Sequence, residues 1–73
     1  MTLQEGTAGN RYRVTDLHLP VQLERRLEAL GLLEGSTVWV LRKMRRGAMI
    51  IKVRGTRFAV GAGISTHIGV TSV

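Results

Sequence analysis

The chain has 73 residues, with 11 Lys and Arg against 5 Asp and Glu and a formal charge of +6. A single small domain of this length buries only about 60% of the surface its unfolded chain exposes, which leaves little room for a deep catalytic cleft. There is no cysteine, so neither a disulfide framework nor a thiolate zinc site supports the fold, and the 44% hydrophobic content must do the folding.

No apolar run approaches the roughly 20 residues of a membrane span. Met1 to Asn10 carries Glu5 and no apolar h-region, so the expected location is cytoplasmic. The positive balance favours acidic partners, nucleic acid or an anionic membrane face among them, without selecting one. No repeat or linker-like stretch divides residues 1–73, which read as one unit.

In chain order, Gly6 and Gly9 loosen the chain ahead of a first strand from Arg11 to Asp16. There Tyr12 and Val14 take one side and Arg11, Arg13 and Thr15 the other. Pro20 suits the first turn of a helix that runs to Leu30, with Leu23, Leu27 and Leu30 as its apolar stripe and Glu24, Arg25 and Glu28 on the wet side. Gly31 stands where a helix needs positive φ to close, and Gly35 supplies the tight connection before the next strand.

That strand spans Thr37 to Lys43, with Val38 and Val40 on one side and Trp39 and Leu41 on the other. Met44 to Gly47 turns it into a run from Met49 to Arg54 whose Met49, Ile51 and Val53 share a face. Gly55 and Thr56 lead into Arg57 to Val60. Gly61 and Gly63 interrupt, Ile64 and Ile68 fit at most one helical turn, and Val70 rejoins a sheet edge. The order predicts a mainly β fold with one α-helix, a small partly closed barrel whose closure removes exposed strand edges.

Several segments together resemble the FeoA family, the small cytosolic component of bacterial ferrous iron uptake. They are RRLEALGLLEG (Arg25 to Gly35), STVWVLRK (Ser36 to Lys43), IKVRGTRFAV (Ile51 to Val60) and GISTHIGV (Gly63 to Val70). The most specific part is the helix carrying Leu27 and ending in Leu30-Gly31-Leu32, followed by Gly35 and a Val-rich strand, with the turn at Arg54-Gly55 and the Ile-x-Val ending at Ile68 to Val70 in register. The resemblance implies an SH3-like β-barrel with a helix inserted after the first strand; from the residues themselves no cofactor is expected. The resemblance also implies a partner, the FeoB-type ferrous iron transporter, and a place at the inner face of the cell membrane through that partner. The same barrel resembles the C-terminal domain of iron-dependent repressors. Two stretches depart from the family pattern: Arg46-Gly47-Ala48, where many members have a Gly-Asp-Pro-like turn, and Gly63-Ile64-Ser65, where many have a Glu-Ala pair.

Candidate site residues follow from charge and exposure. Arg42, Lys43, Arg45 and Arg46 place four cations in five residues, leaving 7 basic against 5 acidic residues elsewhere, so the charge reads as local to one hairpin. Trp39 falls out of phase with the buried valines, either as an interface anchor beside those cations or packed on the N-terminal segment or helix. His18, His67 and Asp16 show no metal-ligand spacing, and Asp16 with His18 reads as a solvated loop, so no metal site is expected. No nucleophile elbow or phosphate loop occurs, since Gly61-Ala62-Gly63 lacks the Lys-Ser/Thr ending. The expectation is a non-enzymatic accessory protein that docks on a FeoB-type transporter through Trp39, Arg42, Lys43, Arg45 and Arg46. The alternatives are a nucleic-acid-binding barrel using the basic hairpin and a detached repressor-like domain that binds proline-rich peptides.

Overall fold

Period-two apolar alternation in the β-rich segments produces the sheet seen in the computed structural model, which describes residues 1–73. The elements are β1 (Arg11–Leu17), α1 (Val21–Ala29), β2 (Thr37–Lys43), β3 (Met49–Val53), β4 (Thr56–Val60), α2 (Ala62–Ser65) and β5 (Ile68–Ser72), with 3-10 turns at Leu3–Glu5 and Arg45–Gly47. All neighbours are antiparallel in the order β4-β3-β2-β1-β5. The two edge strands do not pair with each other, so the barrel stays open on the side that α2 crosses.

The inward positions match the alternation. Tyr12 and Val14, Val38 and Val40, Met49, Ile51 and Val53, Val60, and Ile68 with Val70 form one core. The register of β2 is the exception. Val40 pairs with Ile51 but Arg42 pairs with Ile50, so an extra residue bulges β2 at Leu41. Beyond the bulge the sides exchange, and Arg42 joins Trp39 on the outer face while Lys43 turns away from it.

The apolar stripe expected on α1 holds at Leu27, which is buried, and fails at Leu30, which is 39% exposed. Leu30 is the C-cap, and the chain reverses immediately after it. Gly31 takes φ 96°, its N–H bonds to Glu28 O at 2.9 Å, and the Leu32 N–H bonds to Leu27 O at 2.8 Å, the paired bonds of a Schellman motif. The reversal turns Leu32 inward beside Leu27, so Leu32 takes the core place that periodicity gave to Leu30. Pro20 caps α1 from outside rather than opening its first turn.

The N-terminal segment is not loose. Leu3 is fully buried in the core, Thr2 bridges Gly69 of β5, and the Val70 N–H donates to Met1 O at 2.8 Å. The Thr2 N–H in turn donates to Glu5 Oε1 at 2.7 Å, half of a capping box readable in the Thr-Leu-Gln-Glu order. Residues 1–6 thus form a strap across one end of the barrel.

Candidate functional site

Strand register, rather than sequence proximity, assembles the outer face of the sheet. Arg11 pairs with Trp39, Trp39 with Lys52, and Lys52 with Arg57, so these four side chains form one row across β1, β2, β3 and β4. Neighbouring strands lie about 4.8 Å apart. Trp39 is 41% exposed, with the Arg11 guanidinium 5.8 Å and the Lys52 ammonium 5.9 Å from its ring centroid, and its indole N–H donates to Gly9 O at 3.2 Å. Arg13, paired with Thr37, and Arg42, opposite Ile50, extend the same face on either side of the row. The charge is therefore not confined to the hairpin, because cations from four strands meet here.

The run expected to act together is divided. Arg42 lies on the Trp39 side. Lys43 donates through Nζ to Gln4 O at 2.9 Å and Gly6 O at 3.0 Å, so it ties down the strap. Arg45 and Arg46 are exposed on the 3-10 turn, with Arg46 at φ 61° and Gly47 at φ 79°. The exposed Met44 stands beside them, its N–H bonded to Ala48 O at 2.7 Å. The cations over the Trp39 ring come from β1 and β3 and not from this run. Of the other motif residues, Gly35 and Gly55 both adopt positive φ, 90° and 81°, as their turns require.

The only ion pair is Asp16 with His18, whose Nε2 donates to Asp16 Oδ2 at 2.5 Å. Asp16 belongs to β1 and not to a solvated loop. Hydrogen bonds from Thr15 Oγ1 and then from His18 hold the Asp16 carboxyl below its ordinary pKa. No group of three or more His, Cys, Asp or Glu side chains converges. A carboxyl whose folded pKa is depressed adds stability that is present above the unfolded value and lost as pH falls through the folded one. Asp16→Asn should therefore show a shallower loss of stability below about pH 4 than the unmodified protein, measured as urea midpoints through the acid range. Glu5 acts with the same sign, its pKa lowered by the Thr2 N–H. The Thr7 N–H, which donates to the Tyr12 hydroxyl at 2.7 Å, likewise lowers the phenol pKa and ties residues 6–10 to β1.

A five-stranded, partly open barrel with one inserted helix and a polar outer face is a small SH3-like domain. That description is carried by the zinc complex of Stenotrophomonas maltophilia FeoA, presented as a unique procaryotic SH3 domain protein and a proposed ferrous iron transport activating factor. It superposes with TM-score 0.79 at 30% identity over 97% of this chain and 89% of its own. The FeoA domain profile matches residues 1–72, and the chain belongs to the FeoA family. The solution structure of FeoA from Chlorobium tepidum superposes with TM-score 0.92 at 30% identity over 100% of this chain and 70% of its own. A crystal structure of an iron uptake regulatory protein, FeoA, gives TM-score 0.89 at 30% identity over 100% and 97%. No curated protein sequence matches this chain. No helix is long and apolar enough to cross a membrane.

Proposed function

We propose that this protein is a non-enzymatic, cytoplasmic accessory of ferrous iron uptake that docks on the cytoplasmic part of a FeoB-type transporter. The observation that carries this reading is the FeoA match over residues 1–72, together with FeoA structures that superpose along the whole chain. The docking element we assign is the Met44–Ala48 end of the barrel. Its exposed Met44 offers apolar contact area beside the charges of Arg45 and Arg46. The turn is tied down by the Met44 N–H on Ala48 O at 2.7 Å and lies close against Ala62 and Gln4, which limits the conformational entropy that a partner has to remove.

Capture of the transporter's cytoplasmic part on immobilised protein tests this. The unmodified protein should retain it, and Arg45→Glu with Arg46→Glu should reduce retention by at least about tenfold, the loss expected from reversing charges at an electrostatically steered contact. Equal retention by the double variant would remove the docking element, and no retention by the unmodified protein would remove the docking itself.

A further inference from the structure

Five cations, Arg11, Arg13, Arg42, Lys52 and Arg57, lie on the outer face of the sheet around Trp39, and none is in an ion pair. Four of the five acidic residues are elsewhere, Glu5 on the strap, Asp16 at the far end of β1 against Gly69, and Glu24 and Glu28 on α1, while Glu34 borders the face in a concavity it shares with Thr37 and Arg54. Lys52 and Arg57 are directly opposite one another across β3 and β4, an arrangement that costs free energy in the isolated protein. An anion that meets both relieves that repulsion.

We infer that this face binds the anionic headgroups of a lipid bilayer directly. Three features favour a bilayer over other polyanions. The cations are spread over four neighbouring strands, and the concavity beside Trp39, which Arg11, Lys52 and Arg54 line, is shallow and open, so a broad anionic surface meets more of them at once than an inserted side chain would. Single-stranded nucleic acid is held by successive stacking aromatics, and this face has one. A lone, half-exposed indole among Arg and Lys is the arrangement that settles at headgroup level, with the ring at the interface and the cations on the phosphates. The face shares no residue with the Met44–Ala48 end assigned to the transporter, and the inference does not depend on that assignment.

The test uses purified protein and vesicles without any transporter. Trp39 is the only tryptophan, so its emission reports on this face alone. Protein is titrated with phosphatidylcholine vesicles and with phosphatidylcholine vesicles containing phosphatidylglycerol, followed by co-sedimentation. Binding to the anionic vesicles only, weakened by salt and accompanied by a blue shift of Trp39, is the expected result. Arg57→Glu should weaken that binding by at least about tenfold, since each cation near an anionic surface carries about fivefold in affinity and the substitution also adds a repulsion.

Because the same substitution turns a repulsive cross-strand pair into an attractive one, its denaturation midpoint should not fall, so lost binding cannot be ascribed to unfolding. Arg25→Glu on α1 makes the same charge change away from the face and should leave binding within about twofold, the residue of a general charge effect. The inference is overturned by an absence of binding at low salt, by binding without a change in Trp39 emission, or by equal losses in the two variants. Tighter binding to a single-stranded oligonucleotide than to anionic vesicles at equal phosphate concentration would also overturn it.

Discussion

Leu3→Ala should lower the stability of this protein by about 2–5 kcal/mol, the range for truncating a fully buried leucine. Leu3 is completely inaccessible, although it lies in a segment whose sequence reads as a polar lead-in. A chain of this size has roughly 4–11 kcal/mol in total, so the substitution removes a large share and leaves a measurable unfolded population. The measurement is the urea midpoint at constant m-value. Leu3→Met, which conserves volume and apolarity, should cost less than about 1.5 kcal/mol. If Leu3→Ala behaved like a surface change, the strap would not be part of the core in solution.

Gly47→Ala should be the second costly change, at about 2–4 kcal/mol, from two causes that can be separated. The residue sits at φ 79°, where a Cβ costs about 1–2 kcal/mol. An added Cβ would also lie 2.8 Å from Ala62 Cβ and 3.1 Å from Gln4 Nε2, closer than atoms pack, which adds the cost of overpacking. Gly35 is the internal comparison, since it has φ 90° but nothing within 4 Å of a built Cβ. Gly35→Ala should therefore show only the conformational part. Thermal unfolding of the two variants side by side checks this, and equal losses would mean that the turn does not pack on α2 as described.

Much of the fold was legible because its signals are local. The alternation of Val38 and Val40 with Trp39 set the bounds and faces of β2, and Gly31 and Gly35 marked the two reversals that frame the loop between α1 and β2. What was not legible depends on pairing between distant residues. A bulge at Leu41 cannot be read from β2 by itself, because it is defined by Ile51 and Ile50 on the neighbouring strand, and it decides that Arg42 and not Lys43 stands with Trp39. Periodicity also has no means of seeing that the chain reverses at Gly31 and delivers Leu32 to the core in place of Leu30.

The basic face shows the same limit. Arg11, Lys52 and Arg57 are far apart in sequence and were overshadowed by the dense run from Arg42 to Arg46, yet register places them together with Trp39. A signal was present in the outward positions of the first, third and fourth predicted strands, which carry Arg11 and Arg13, Lys52, and Arg57. It needed a strand order before it could be added up. The strap had a signal as well, in the Thr-Leu-Gln-Glu capping order and the single leucine within it.

The contact of Met1 and Thr2 with Gly69 and Val70 also dictates an order of events during synthesis. Met1 and Thr2 must wait for β5, made more than 60 residues later, before they find their partners. While β5 is still inside the ribosome, β1 has one exposed edge and Leu3 has no complete core to enter. Such long-range closure is slow relative to local helix and hairpin formation. The nascent chain therefore emerges as a four-strand meander, β1 to β4, with α1 between its first two strands, and becomes the native barrel in a late step that brings β5 to β1 and the strap.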